Sequence, residues 1–450
     1  MAALVKRGLH VAPFKVGPDF IDPGHHTRVT GIISRNLDGW MLSQEDNLHC
    51  FYHHTRKADI AVVEGVMGVF DGYDGKSEAG STAQMAKWLH LPVILVVGAR
   101  SMARSAAALV SGFEKFDRNL DYAGVLFNHV GSERHLQYLK EALEDHVDMP
   151  CLGGVKRDQD VSIPERHLGL VTPQDYDLSS NAVNRLADLI EESVDLDRLL
   201  ADLDDFHPPK RPAIHRIPDR DERPKIGVAR DNAFCFYYQD NLDLMASWGA
   251  ELVYFSPMKD PLPPPDIDGI YLGGGYPELF AQKLTGNITM RKTIKSHSEA
   301  GMPIYGECGG FMYLSRQLVD IDGNIYPMTD CFPIVTRMLA NLKTLGYRKV
   351  KFNNKSILGA PGDVVRGHEF HYSEIIGGAD RLNTDYRVCA RKGIDETEEG
   401  YRVKNTLGSY IHLHFGSSKE AARHFVENCR NYRNERMPLH ETGRDRSVKF

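Results

Sequence analysis

Two α/β domains in tandem are what this sequence predicts, and three observations carry the prediction. The chain has 450 residues, more than one hydrophobic core ordinarily organises. Near-continuous Val/Ile/Leu runs alternate with helical patterns, which implies parallel sheets covered on both faces. Between two such series lies "FHPPKRPAIHRIPDRDERPK" (206–225), with five prolines and nine charged residues; it can bury little and reads as an extended linker. The expected division is a first domain over 1–205, a linker over 206–224, a second domain over 225–432 and a polar tail over 433–450.

In the first series, "MAALVKRG" reads as a helix from Met1 to Arg7 stopped at Gly8, since glycine after Lys-Arg is a helix C-terminus signal. A helix without an N-cap or a preceding strand is an unusual opening for a domain. The strand "LHVAPFKV" follows, then "ADIAVVEG" (58–65), "LPVILVVGA" (91–99) and "YAGVLFNHV" (122–130), with helical "STAQMAKWLH" and "ARSAAALVSGFEKF" between them. "NAVNRLADLIEESVDLDRLLADL" closes the series as one or two amphipathic helices. The second series contributes "KIGVAR" (225–230), "ELVYFSP" (251–257), "IDGIYLGGG" (267–275) and "MPIYGE" (302–307). From about residue 320 the pattern is strand-rich, and the last twenty residues, from "NYRNER" onward, read as a frayed polar end.

A composition of 42% hydrophobic and 26% charged residues is that of a globular protein, and a formal net charge of −7 counts against nucleic acid as a partner. No apolar run of about 18 residues suggests a membrane span, and no signal peptide is recognisable. The seven cysteines are odd in number and include no CxxC pair, so neither a disulfide framework nor a zinc knuckle is indicated. A reducing cytoplasm fits best, and a homodimer is compatible with such a chain.

"YGECGGFMYL" (305–314) puts Cys308 between a predicted strand, "MPIYG", and a predicted helix, "GFMYLSRQL". A nucleophilic thiol needs a lowered pKa, a base and donors for an oxyanion. A sharp turn at a helix N-terminus favours a thiolate, and Gly306, Gly309 and Gly310 permit the strained backbone of such a turn. A buried structural cysteine is the plain alternative; the flanking glycines outweigh it here, whereas the other six cysteines read as structural. "GGGYPELF" (273–280) ends another strand, where Gly274, Gly275 and, beyond the thiol, Gly309 can offer backbone N–H groups to an oxyanion or a phosphate, with a plain loop as the alternative. "SYIHLHF" (409–415) supplies His412 and His414 with strand alternation, pointing to one face. A thiol followed about 100 residues later by a histidine is the layout of a Cys–His hydrolytic pair; a two-histidine metal site lacks a cysteine or carboxylate at ligand spacing.

"PFKVGPDFIDPGHH" (13–26) gathers Lys15, Asp19, Asp22, His25 and His26 on one connection, and "VVEGVMGVFDG" (62–72) places Glu64 at a strand end and Asp71 on the glycine-rich loop beyond. Strand ends at one edge of a parallel sheet are where ligands bind. Carboxylates with a lysine suit Mg²⁺ and phosphate oxygens, with a solvated acidic loop as the alternative. In "SIPERHLGL" (162–170), Arg166 and His167 could face an anion, and in "RGHEFHYS" (366–373) a metal site from His368, Glu369 and His371 would need a helix where the residues favour a strand.

"GGGYPE", "YGECGGFMYL" and "SYIHLHF", in this order, resemble a class I glutamine amidotransferase domain of the cobyric-acid-synthase branch. The likeness implies that Cys308 attacks the side-chain amide of glutamine, with His412 as base, releasing ammonia. Many related glutaminases carry a glutamate two residues past that histidine; here the position is His414. With "FKVGPDFIDPGHH", "VVEGVMGVFDG", "PERHLGLV" and "RGHEFHYS" added, nearly the whole chain resembles the cobyrinic acid a,c-diamide synthase family, to which Ni-sirohydrochlorin a,c-diamide synthases are close. That resemblance implies a P-loop, dethiobiotin-synthetase-like first domain that uses ATP and Mg²⁺ to phosphorylate a tetrapyrrole carboxylate, which ammonia then converts to an amide. It also implies that Lys15 and Glu64 serve nucleotide and Mg²⁺, with Asp19 as a second metal ligand, and that Asp19, Asp22 and Asp71 order metal, phosphate or substrate carboxylates.

The family's Gly-rich loop ending in Gly-Lys-Thr-Thr precedes the segment that opens this chain, and G-x-x-x-x-G-K-[ST] occurs nowhere in it. By the strand–loop–helix pattern about 25 residues would be absent; the chain as it stands is then expected to bind ATP poorly and to expose a sheet edge. Three readings stay open at this point: an ATP- and glutamine-dependent amidotransferase, a tetrapyrrole-binding scaffold, and a glutaminase alone, which would release ammonia without consuming ATP.

Overall fold

The computed structural model describes residues 1–158, 161, 165–166, 169–170, 179–203, 223–389 and 396–436. The chain divides into two compact units, Met1–Ala213 and Ile214–Phe450. The division falls inside the expected linker, most of which lies outside the described residues, as do His167 and the end of the expected tail.

The first unit begins with the short helix Ala2–Lys6 and the strand Val11–Val16, every residue of which is buried. That strand lies between two parallel neighbours, Arg35–Leu37 and Ile60–Glu64. A second parallel sheet is built from Val93–Gly98, Tyr122–Val130 and Cys151–Lys156. The expected strands are therefore present, but among the described residues they form two three-stranded sheets rather than one. No pairing joins Ile60–Glu64 to Val93–Gly98 among those residues, and Ile94 and Val96 are 39% and 59% exposed. Helices start where the sequence places capping hydroxyls: Ser81 caps Thr82–Leu89 and Ser132 caps Glu133–Glu144, each accepting from the backbone N–H three residues on. Arg166 belongs to a two-residue strand, Glu165–Arg166, paired with Gly169–Leu170.

The second unit is organised by a ten-stranded sheet. Glu251–Phe255, Lys225–Ala229, Gly269–Leu272, Ile304–Glu307 and Thr406–Ser409 lie side by side and parallel. The order continues antiparallel through Thr397–Val403, Asn383–Cys389, Thr344–Phe352, Val364–His371 and His412–Leu413. Two hydrophobic clusters cover the parallel half, one around Ile226, Val228, Leu242 and Phe425, the other around Ile270, Leu272, Ile304 and Phe311. Ser409 ends the fifth strand in this order and His412 begins the tenth. Three residue steps reach about 10 Å, whereas five strand spacings in a flat sheet come to about 24 Å. The antiparallel half must therefore curl back, and the curl returns His412 to the strand ends of the parallel half.

Two expectations are corrected here. The helix after Cys308 covers only Gly309–Leu314, and "SRQL" belongs to the strand Ser315–Val319. The hydroxyl of Ser315 donates to Met312 O at 2.6 Å, closing the helix as the chain becomes extended. The last twenty residues do not begin as a frayed end, because the helix Lys419–Arg436 runs through their first six residues. Arg433 and Arg436 hold it there by ion pairs to the buried Asp268, at 3.4 and 3.0 Å, since a buried carboxylate demands a cation.

One buried acid makes the stability of this unit depend on pH. Glu399, in Thr397–Val403, accepts from Ser409 Oγ at 2.8 Å and from Tyr410 N at 3.0 Å, and burial pushes its carboxyl up to about 7. A folded pKa above the unfolded one means that the native state holds a proton the unfolded chain releases. Stability is then full below about pH 4.5 and falls as the pH rises to about 7, by on the order of 3 kcal/mol. Denaturant titrations between pH 5 and 8 are expected to show this decline, and Glu399→Gln to flatten it; equal slopes in both proteins would refute the assignment.

Candidate functional sites

The buried strand Ile304–Glu307 runs straight into Cys308, whose φ of 46° and ψ of −102° no unstrained side chain adopts. Glycine is required on either side of this bend. A Cβ at Gly306 would lie 2.6 Å from Leu314 Cδ1, and one at Gly310 would lie 2.1 Å from Leu272 O. Hydrogen bonds lock the elbow: Cys308 N donates to Ser409 O at 2.7 Å, and Met312 N to Cys308 O at 2.9 Å.

The thiol is not the ionised group that a helix N-terminus suggests. Cys308 is only 7% exposed, and burial pushes its pKa well up, with the charges of Glu278, Glu369 and Glu307 adding to the effect. The N–H of Gly309 favours the thiolate but is outweighed. The helix it opens has only six residues, so its dipole is a small counterweight to desolvation. Cys308 is therefore a thiol at neutral pH, and it needs a base to become a nucleophile.

His412 lies beside the residue that leads into this elbow. It is 2% exposed, and its Nδ1 lies 3.7 Å from Oε2 of Glu307, the residue that precedes Cys308. Its ring stacks on His368 with centroids 4.9 Å apart. Tyr238 ties His368 in place by an O–H···Nδ1 contact of 2.7 Å, and burial, followed by the neighbouring His412 and His414, holds His368 neutral. His414 packs its ring against Tyr238 and uses Nδ1 to accept the N–H of Gly416 at 3.1 Å, capping the turn Phe415–Ser417.

The three glycines named as backbone donors separate into two roles. The N–H of Gly274 is spent on Phe236 O at 3.2 Å. What Gly274 supplies is clearance, because a Cβ there would sit 2.4 Å from Cε1 of His412. Gly275 and Gly309 adjoin each other, a Cβ at Gly309 falling 3.0 Å from Gly275 N, and the N–H of Gly309 bonds the thiol sulfur of Cys308.

"RGHEFHYS" is a strand, Val364–His371, as its residues favour. Its histidines and acid do not assemble a metal site. Glu369 bonds His371 Nε2 at 2.7 Å and Arg348 Nε at 2.7 Å, while His368 is the partner of Tyr238.

In the first unit, Lys15 is nearly fully buried, and its Nζ is surrounded by acids. Asp22 lies at 2.6 Å, Glu64 at 3.5 Å and Asp19 at 3.9 Å, and Gly65 O accepts at 3.1 Å. His26 contacts the other oxygen of Glu64 at 2.5 Å, and both it and His25 lie on the helix Asp22–Thr30. Asp19 Oδ1 accepts from Ile21 N and Asp22 N, at 2.7 and 3.1 Å, folding the turn that presents the cluster. Burial and the charge of Asp22 raise the Asp19 carboxyl to about 6. Burial also acts to raise Asp22, but the hydrogen bond and charge of Lys15 outweigh it and lower that carboxyl. Asp71 stands on its own turn, accepting from Gly68 N at 3.0 Å. The sequence pattern pointed to Lys15, Asp19, Asp22 and Glu64; it missed His26 as the partner of Glu64 and Glu307 as the neighbour of His412. No helix among the described residues is long and apolar enough to cross a membrane.

Comparison with known proteins assigns a family to each unit. Residues 225–420 match the family model of a CobB/CobQ-like glutamine amidotransferase domain. Residues 1–171 match that of a CobQ/CobB/MinD/ParA nucleotide binding domain. A cobyrinate a,c-diamide synthase from Dehalococcoides mccartyi is 42% identical over 96% of this chain and 94% of its own length. Proteins of the same name from Syntrophotalea carbinolica and Methanosarcina acetivorans are 46% and 40% identical, over 95% and 97% of this chain and 94% and 93% of theirs. By nearly full-length identity and by both of its domains, the chain belongs to the cobyrinate a,c-diamide synthase family.

Proposed function

We propose that this protein is an ATP- and glutamine-dependent ligase that converts the a and c acetate carboxylates of cobyrinate into amides. The observation that carries the reading is the strained elbow at Cys308 with His412 beside it, in one chain with a buried lysine ringed by carboxylates. The family relationship supports the same conclusion and supplies the macrocycle, which no contact geometry identifies.

The glutaminase half-reaction follows from the resting protonation state. His412 takes the thiol proton as the sulfur attacks the amide carbon of glutamine. The resulting oxyanion is met by the N–H groups of Gly275 and Gly309, whose orientation is fixed before the charge forms. Collapse returns the proton to the departing nitrogen, ammonia leaves, and a glutamyl thioester remains. Water, deprotonated by His412, then releases glutamate and restores the thiol.

In the first unit a substrate carboxylate attacks the terminal phosphorus of ATP, and ADP departs. Ammonia displaces phosphate from the acyl phosphate and leaves an amide. Without this activation a carboxylate has no adequate leaving group. Lys15 would hold phosphate oxygens, exchanging its contact with Asp22 for them. Asp19 and Glu64 would hold Mg²⁺: they are hard oxygen donors, and burial together with the charge of Asp22 raises the carboxyl of Asp19, a cost that a divalent cation would offset. Bound Mg²⁺ supplies neutralisation of the phosphate oxygens. Asp22 would orient Lys15, and Asp71 would shape the loop after Glu64.

Cys308→Ala is expected to abolish glutamine-driven amidation of cobyrinate while ammonium salts still support it, scored by mass gain per amide; retained glutamine use would refute the nucleophile. Alkylation of Cys308 by iodoacetamide in the absence of glutamine should be slow at pH 7 and should show no thiolate plateau below about pH 9. Gly274→Ala should lower the rate of glutamine hydrolysis by about 10-fold or more, since the added methyl displaces His412. Lys15→Met should reduce amidation driven by either nitrogen source by about 100-fold; an effect confined to glutamine would contradict its assignment to the ATP half-reaction.

A further inference from the structure

Glu307 lies between the two reacting groups of the glutaminase site without an assigned part. It is 1% exposed, so its carboxylate has to be satisfied inside the protein. Oε1 accepts the hydroxyl of Tyr305 at 2.7 Å and the N–H of Leu413 at 3.1 Å. Oε2 accepts the hydroxyl of Tyr271 at 2.9 Å. Burial pushes both tyrosine pKa values far up, so both hydroxyls stay neutral donors. A carboxylate offers about four acceptor positions, so one is left, on Oε2. That oxygen is the one 3.7 Å from Nδ1 of His412. Leu413 follows His412 directly, so the same carboxylate grips the backbone of the histidine's strand and faces its ring. It is also joined by a peptide bond to Cys308.

An imidazole that acts as a base must keep one nitrogen unprotonated and aimed at its target, which is done by giving the other N–H a fixed acceptor. His414 stands where many related glutaminases carry a carboxylate for this, and its Nδ1 is taken by Gly416. We propose that Glu307 is the positioning residue of His412: its Oε2 receives the Nδ1–H, and Nε2 is thereby presented to the thiol of Cys308. A modest rotation of the ring, stacked on His368, closes the remaining gap to hydrogen-bond length. The inference rests on the reading of Cys308 and His412 as nucleophile and base. His368, held neutral by burial, stacks on the same ring, and Glu307 brings its carboxylate oxygen to 3.7 Å from Nδ1.

The test uses the full chain, with glutamine hydrolysis and a ¹³C–¹H NMR titration of the His412 Cε1–H signal, identified by its loss in His412→Gln. Glu307→Gln is expected to lower kcat by at least ~10-fold with KM for glutamine little changed, and to move the pKa of His412 down, because the imidazolium loses its counter-charge. Tyr271→Phe removes a donor from Oε2 but keeps the charge, and should move that pKa up; it also serves if Glu307→Gln does not fold. An unmoved His412 pKa in these variants overturns the proposal, even if kcat falls, since a merely structural role would lower the rate without retuning the ring. Cys308→Ala separates the two levels: glutamine hydrolysis at the parental rate there would remove the underlying reading, whereas its loss together with a parental Glu307→Gln would remove the role of Glu307 alone.

Discussion

A carboxylate buried at the core of the second unit constrains everything around it. Removing an ion such as Glu307 from water costs several kcal/mol unless hydrogen bonds replace the solvent. The replacements are Tyr271 and Tyr305, from two neighbouring parallel strands, and the N–H of Leu413, from the far end of the curled sheet. Satisfying this one acid therefore fixes three strands relative to one another. The thiol-bearing elbow follows directly on one of them, and His412 precedes Leu413 on another. The cost of the buried charge and the alignment of the site are one and the same arrangement.

Burial also decides how the thiol works. A short helix and one backbone donor favour the thiolate, but desolvation and three nearby carboxylates oppose it more strongly. The resting pair is a neutral thiol with its base nearby. Such a cysteine is protected from adventitious alkylation and oxidation, because the thiolate is the reactive form.

The first unit solves the converse problem. There the buried charge is a cation, Lys15, and three acids stand around it rather than one. Burial, and then the charge of Asp22, raises the carboxyl of Asp19. The two units thus bury opposite charges: a carboxylate among hydroxyl and amide donors in one, a lysine among carboxylates in the other.

What the sequence determined by itself was local. The parallel strands were legible as Val/Ile/Leu runs, and Tyr122–Val130 was readable to its ends. The elbow was legible because Gly306, Gly309 and Gly310 around Cys308 have no other reason to cluster. Lys15, Asp19 and Asp22 were legible because a single short connection carries all three. The tertiary structure alone decided the rest. "SRQL" left its helix because the Ser315 hydroxyl capped it and a partner strand was available, which no local propensity records. The helix after residue 419 outlasted its polar composition because Arg433 and Arg436 found Asp268, more than 160 residues away. Gly274 proved to be clearance for an imidazole, and Glu307 a neighbour of His412, only once the sheet had curled. The ionisation of Cys308 was likewise beyond the sequence, since a pKa depends on which solvent and charges the fold removes or supplies, and that is a property of the enclosing volume rather than of adjacent residues.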